Sequence, residues 1–240
     1  MTGNIILALL LAAPLQQIPR TADGKPNLQG IWQARNQAAN DVQSVVAGGP
    51  IPYQPSAAAK KQQNRAKQKT ADPLEKCYMP GVPRIMYLNY PFQIFQTRDH
   101  VAITFEWSQV YRLIYTNGKP GPKGIDFWMG DSRGHWEGDT LVVDVTDHND
   151  QTWFDKAGNY HSDALHVTER YTLLNADTLQ YEATIEDPKV FTKPWKISMP
   201  LSRRKDMTRI LEFQCQAEAE EAKGLFERDP RTWYPGQNKK

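Results

Sequence analysis

Among the residues of this chain that could do chemistry, Glu169 is the one most at odds with its surroundings. From His161 to Pro188 the sequence reads as a β-hairpin. In its second arm Leu179, Tyr181, Ala183 and Ile185 alternate with Gln180, Glu182 and Thr184, the period of a half-buried strand. In the first arm Leu165, Val167, Tyr171 and Leu173 make the apolar face, and Glu169 falls among them. A carboxylate so placed must be paired, protonated or used. Arg112, in the run QVYRLIY, poses the same problem with opposite sign, and its guanidinium grips a carboxylate with two prongs. Two readings stay open. The charges pair with each other as a structural ion pair, or they face a ligand and orient its polar end. Glu106, six residues before Arg112, competes as the partner if the strand between them is unbroken. A bulge between Trp107 and Gln109 would change that parity.

His161, Asp163 and His166, with Glu169, supply imidazoles and carboxylates of the kind that hold zinc, iron or copper. Their spacing argues against it, because on one extended strand His161 and His166 point to opposite faces and Glu169 points away from His166. Only a swing of His161 from its loop toward His148 or His100 would bring ligands together, so no metal or other cofactor is expected. His166 suits either a hydrogen-bonded strand position or a proton carrier, since an imidazole titrates near neutrality. Gly130-Asp131-Ser132-Arg133-Gly134 matches the G-x-S-x-G form of a hydrolase nucleophile, which requires a preceding strand and a following helix. Here HWEGD and then the run TLVVDVT follow, so the glycines are assigned to a loop between strands. Trp128, Trp136, Trp153 and Trp195 fall near loops with Asp126, Asp155 and His161. At the mouth of a barrel they would stack a flat or sugar-like ligand; otherwise they close its ends as core. Asp150 and Asp155 flank Trp153, without any spacing that defines a glycosidase pair.

The elements that must position these groups are mostly strands. Runs rich in Ile, Val, Phe, Tyr, Trp and Thr occur at Arg84 to Leu88, Phe92 to Gln96, Val101 to Trp107, Gln109 to Tyr115, Thr140 to Thr146, His166 to Leu174, Thr178 to Ile185, Lys196 to Leu201 and Ile210 to Cys215. Turn residues separate them at Arg98-Asp99, Asn117-Gly118, Glu137-Gly138-Asp139 and Asn175-Ala176-Asp177. Such arms, with no helices between them, predict a mainly β domain over 82–215: an antiparallel meander closed into a lipocalin-like barrel or folded as a sandwich. The 7 Trp, 10 Tyr and 8 Phe suit a barrel interior that holds side chains or one small ligand.

Ahead of it, residues 16–81 read as an extended N-terminal arm, with one strand-like run at Gly30 to Arg35 and a basic surface helix over 56–70. That helix is capped by Ser56, stopped by Pro73 and carries Lys60, Lys61, Arg65, Lys67 and Lys69. Residues 216–240 give a C-terminal helix and tail. The apolar run Ile5 to Ala13 has the length of a signal-peptide core, so residues 1–15 are expected to direct export to the periplasm or the cell exterior. That run is too short to cross a bilayer as a helix and no second apolar run exists, so no membrane span is expected. With 29 basic against 27 acidic residues, no overall field draws the chain to nucleic acid. Cys77 and Cys215 are the two cysteines. In an oxidising compartment an even pair reads as a disulfide rather than two separate thiols.

The segments RTADGKPNLQGIWQ, ADPLEKCYMPGVPR, SRGHWEGDTLVVDVT, HSDALHVTERY and EDPKVFTKPWKISMPL together resemble a large group of uncharacterised secreted bacterial proteins, over most of the chain after the signal. In that group a cysteine tends to follow the DP motif and another lies in a late strand, which implies the Cys77–Cys215 bridge. Many members carry His and Gly after the second cysteine, where this chain has Gln216 and Ala217. The resemblance implies export and one β domain, and no activity. The expectation that follows is a barrel binding a small, partly apolar molecule, with Arg112, Glu169, Glu106, Trp136, Tyr171 and His161 around it. The alternatives are an acid–base enzyme on the same scaffold, a lyase, isomerase or hydrolase with His166 or Glu169 as proton carrier, and a structural or partner-binding envelope protein with a filled barrel.

Overall fold

The computed structural model describes residues 18–224. The expected signal segment 1–15 and the tail beyond 224 lie outside the described residues. The strands in chain order are β1 (Gly30–Ala34), β2 (Val46–Ala47), β3 (Phe92–Gln96), β4 (His100–Phe105), β5 (Tyr111–Tyr115), β6 (Asp131–Glu137), β7 (Thr140–Thr146), β8 (His166–Asn175), β9 (Thr178–Glu186) and β10 (Trp195–Arg203). The α-helices are α1 (Pro55–Ala66), α2 (Gln68–Ala71) and α3 (Cys215–Ala222). Thus the basic helix of the sequence begins at Pro55, whose fixed φ suits a first helical turn, and is interrupted at Lys67.

Nine strands close on themselves in the order β1-β3-β4-β5-β6-β7-β8-β9-β10, and β10 returns to β1. The barrel is therefore as expected, but it is not a pure antiparallel meander. β5 and β6 run parallel, with Ile114 opposite Ser132, because the connection 116–130 carries the chain back along the barrel before β6 begins. The strand-like run expected at Gly30 to Arg35 becomes β1, which fills the gap between β3 and β10, with Trp32 opposite both Phe92 and Arg203. The tiny β2 pairs with the start of β10.

Alternation in each strand sends one face inward. Ile103 and Phe105 of β4, Ile114 of β5, Val143 and Val145 of β7, Tyr171 and Leu173 of β8, Tyr181 and Ile185 of β9, and Met199 and Leu201 of β10 are all buried in one core. One end of the barrel has short turns at residues 97–99, 138–139 and 176–177. The other end receives the long segments 35–91, 147–165 and 187–194, which cover it; the chain after β10 leaves from the short-turn end, where Arg203 N donates to Asp177 O, and reaches the covered end at Leu211 and Phe213, which donate to Glu106.

Two expected strands are something else. Arg84–Tyr87 forms a 3-10 turn whose four residues are all buried, an arrangement that an alternating strand, with every second residue facing out, cannot make. Residues 210–214 contribute a single parallel bridge, Phe213 to Trp107, instead of a strand. Conversely β6 arises from DSRGHWE, a run of low strand propensity. Its Gly134 fits because a side chain there would come within 2.8 Å of Ile114 and 3.3 Å of Leu141. Cys77 and Cys215 are joined, with Cα atoms 5.5 Å apart, and the bridge ties the start of α3 to the segment after α2.

Candidate functional site

Inside the barrel the two misplaced charges find each other. The register that sets Glu169 opposite Val143 and Ala183 and Arg112 opposite Ile103 turns both side chains toward the axis. Arg112 Nη1 donates to Glu169 Oε1 at 3.0 Å, and its Nη2 pairs with Glu169 Oε2. Arg112 Nε donates to Ser132 Oγ at 3.0 Å. Glu169 Oε1 also accepts from the hydroxyls of Tyr181 at 2.7 Å and Tyr171 at 3.1 Å. Burial opposes the charge on Arg112, yet Glu169 and the tyrosines hold its pKa above the ordinary value. Burial first, and then Glu169, push both tyrosine hydroxyls well up. Glu169 and Tyr181 are 0 % exposed, and the network is covered from the long-segment end by Met86, whose sulfur lies 3.6 Å from the Tyr171 hydroxyl. Met86 belongs to the 3-10 turn, itself held by a buried two-pronged pair in which Arg84 donates to both oxygens of Asp72 at 2.8 Å.

The other expected site residues scatter. Glu106 is not a partner of Arg112. Ser108 and Gln109 have φ of 50° and 53°, forming a tight hairpin turn in place of a bulge, so Glu106 sits off the inward face and its Oε2 accepts from Leu211 N at 2.9 Å. His166 points outward, 3.3 Å from Asp144 and half-exposed, so it and Glu169 stand on opposite faces of β8. Trp136 is half-buried near the short-turn end, with Lys25 Nζ 5.8 Å from its ring. His161 is buried at the opposite end, its Nε2 2.6 Å from Thr152 Oγ1 and its ring 5.9 Å from that of His148. Neither nitrogen of the buried His148 ring has a hydrogen-bond partner. Burial, followed by the nearby His161, Arg112 and His166, drives its pKa down to about 3. Burial likewise lowers that of His161. Among the described residues no group of three or more His, Cys, Asp or Glu is arranged to hold a metal ion.

Ser132 of the G-x-S-x-G run lies within β6, with Arg112 as its hydrogen-bond partner and no helix following. The tryptophans do not converge: Trp128 stacks edge-on with Tyr78 at 5.4 Å, Trp153 bridges to Tyr160, and Trp195 packs in the core against Phe154 and Phe191. Asp155 is a structural anchor that accepts from Val42 N at 2.7 Å and from Asn159. Burial raises its pKa.

The open space lies elsewhere. A groove of about 640 Å³ runs between the covered barrel end and α3, lined by Leu74, Leu88, Tyr90, Trp107 and Phe213, with the Cys77–Cys215 bridge in its wall. Tyr90 and Phe213 pack with ring centroids 4.7 Å apart. Polar groups at its edge include Asn89, Glu75, Lys156 and Glu218, and Lys156 Nζ lies 3.4 Å from Glu75. Two further grooves, of about 590 and 470 Å³, are on the outer surface near β2 and near residues 21–29. None of the three is lined by Arg112, Glu169, Tyr171 or Tyr181. Sequence reasoning missed the groove because it joins residues from six separate stretches. The one signal available was the pair of cysteines, which told that residues near 77 and 215 meet.

Fold and site thus define a closed β-barrel with a self-paired polar interior and an aromatic groove at its covered end. A scan against models of known protein families finds no match, and no curated protein sequence matches the chain.

Proposed function

We propose that this chain is an exported protein that binds a small, partly apolar molecule in the groove beside Cys77–Cys215 and not within the barrel. One contrast carries the reading. Arg112 and Glu169, the charges that would have oriented a ligand inside, satisfy each other, whereas Leu74, Leu88, Tyr90, Trp107 and Phe213 line about 640 Å³ of open space. A groove of that size and lining falls within the range of small-molecule sites. The disulfide and the resemblance to secreted proteins support the exported setting.

The test is native mass spectrometry of protein purified from an oxidising compartment, compared with the reduced, denatured chain. A retained organic molecule that is lost in Asn89→Trp, which fills the groove edge, and kept in Glu169→Gln supports the reading. A molecule lost in Glu169→Gln alone would return the site to the barrel. A bare chain that also binds none of a panel of hydrophobic dyes overturns it. The self-paired charges of the interior also favour a second reading, a partner-binding envelope protein. Co-purification of a defined protein through this face would identify that case.

A further inference from the structure

We infer that the covered end of the barrel is a docking surface for an anionic lipid membrane, whatever molecule the groove holds. Between Pro55 and Lys76 the chain carries Lys60, Lys61, Arg65, Lys67, Lys69 and Lys76 against two carboxylates, Asp72 and Glu75. Both carboxylates are engaged elsewhere, Asp72 by the buried Arg84 and Glu75 by Gln68 and Lys156. Among the described residues none of the six cations forms an ion pair, and Lys60 rests over the Tyr160 ring, 4.5 Å from its centroid. The helix is seated so that this charge stays outside. Ala57 is buried, Asn64 Nδ2 donates to Gly158 O at 3.3 Å, and a side chain at Gly158 would come within 2.6 Å of Lys61 O and Arg65 N. Lys60, Arg65, Lys67, Lys69 and Lys76 are exposed. Like charges one turn apart, as in Lys61 and Arg65, oppose the helix that carries them, so the set works against the fold and is relieved by an anion from outside the chain.

Apolar side chains are exposed at the same end. Of the large ones exposed among the described residues, Tyr78, Met79, Tyr111 and Ile125 lie there, and only Phe95 and Leu174 stand by the short turns. Tyr78 and Met79 follow just after Lys76, and Tyr78 packs edge-on against Trp128 at 5.4 Å. Ile125 and Trp128 flank Phe127, whose N donates to Asp147 O and whose O accepts from Asn149 N, which fixes them beside the end of β7. Tyr111 opens β5, and because β5 and β6 run parallel it starts at the same end as β6. Lys123 and Asp126 add no net charge to this rim. Cations alone would fit any polyanion. Met79 and Ile125 gain nothing against a hydrated polyanion, whereas at a bilayer they enter the acyl boundary while Tyr78 and Trp128 hold the headgroup level and the basic side chains reach anionic headgroups. The combination favours a lipid surface.

The experiment sediments the intact, oxidised chain with vesicles of phosphatidylcholine alone and of phosphatidylcholine with phosphatidylglycerol in a ratio of about 7:3, and measures heparin binding in parallel as the soluble polyanion. The mixed vesicles should bind at least about tenfold tighter than the neutral ones, and added salt should shrink the preference. Arg65→Gln, Lys67→Gln, Lys69→Gln and Lys76→Gln combined should weaken binding to the mixed vesicles by about a hundredfold or more, since each cation near such a surface contributes about fivefold. Tyr78→Ser with Met79→Ser should weaken vesicle binding by about tenfold and leave heparin binding unchanged. Lipid brominated along its chains should quench tryptophan emission, and quench it less in Trp128→Phe. Circular dichroism should match the parent in every variant. If the chain binds neither vesicle at low salt, binds both equally, or binds the mixed vesicles with no loss in either set of variants, the inference is overturned. If heparin binds as tightly as the mixed vesicles and Tyr78→Ser with Met79→Ser changes neither, the partner is a soluble polyanion and the lipid assignment falls. The groove is tested separately, by the retained-ligand measurement.

Discussion

The Glu169 network and the Tyr90 groove are built from the same materials, aromatic rings and charged side chains, and they differ in what is left over. In the barrel, Arg112 is matched in two prongs by Glu169, and the remaining hydrogen-bonding positions go to Ser132, Tyr171 and Tyr181. In the groove, rings line a space that the side chains of the described residues do not fill. A charge on an apolar strand face therefore marks a place where something must pair. Only the register of the neighbouring strands decides whether the partner is internal.

Two large effects would break this comparison if they failed. Glu169→Ala should cost about 3–5 kcal/mol in stability, because it leaves a buried guanidinium without its counter-charge; urea unfolding measures it, and a loss below about 1 kcal/mol would mean that water or a ligand reaches Arg112. Replacing Cys77 and Cys215 together by alanine should cost about 2–5 kcal/mol, since the bridge closes a long loop. The same double variant should also weaken binding of any groove ligand, an effect that Glu169→Gln should lack.

Acid sharpens the contrast from another side. The folded-state pKa of His148 lies far below the ordinary 6.5, so as pH falls the unfolded chain takes up the proton first. Stability is full above about 6.5 and declines from there toward about 3, with a slope of up to about 1.4 kcal/mol per pH unit from this one residue. His161 acts in the same direction. His148→Phe should flatten that slope in thermal melts run as a pH series. The smallest effects come last. Tyr181→Phe removes one of three donors to Glu169 Oε1 and should cost about 1–2 kcal/mol, while Phe213→Leu should change stability by less than about 1 kcal/mol and show itself in binding.

The strands that follow simple alternation, from Phe92 through Leu201, could be read from the sequence because each buries one face and wets the other. Arg84 to Leu88 resembled them in composition only. Its residues serve as a plug, where all four of the turn face inward, and the need for Arg84 to reach Asp72 is a contact twelve residues away that periodicity does not carry. β6 escaped notice for the opposite reason. Its inward position at Gly134 is dictated by Ile114 and Leu141 of neighbouring strands, so the residue that makes the strand fit is the one that hides it. The Arg112–Glu169 pair was legible as two charges that either match each other or face a ligand, and the register of the neighbouring strands decides for the former. The groove was not legible, since its lining comes together only once the disulfide, the plug and α3 are in place.

The position of the disulfide gives β1 a particular standing. The covalent loop closed by Cys77 and Cys215 contains β3 to β10 and leaves β1 outside, although β1 is what seals the barrel between β3 and β10. The fold is in effect a hoop of eight staves fastened by a clasp, with the ninth supplied by a strand that enters from beyond the fastening. A covalently intact ring can therefore have an open seam, and occupation of that seam by Gly30–Ala34 determines whether the barrel is a closed vessel or a curved sheet with two exposed edges.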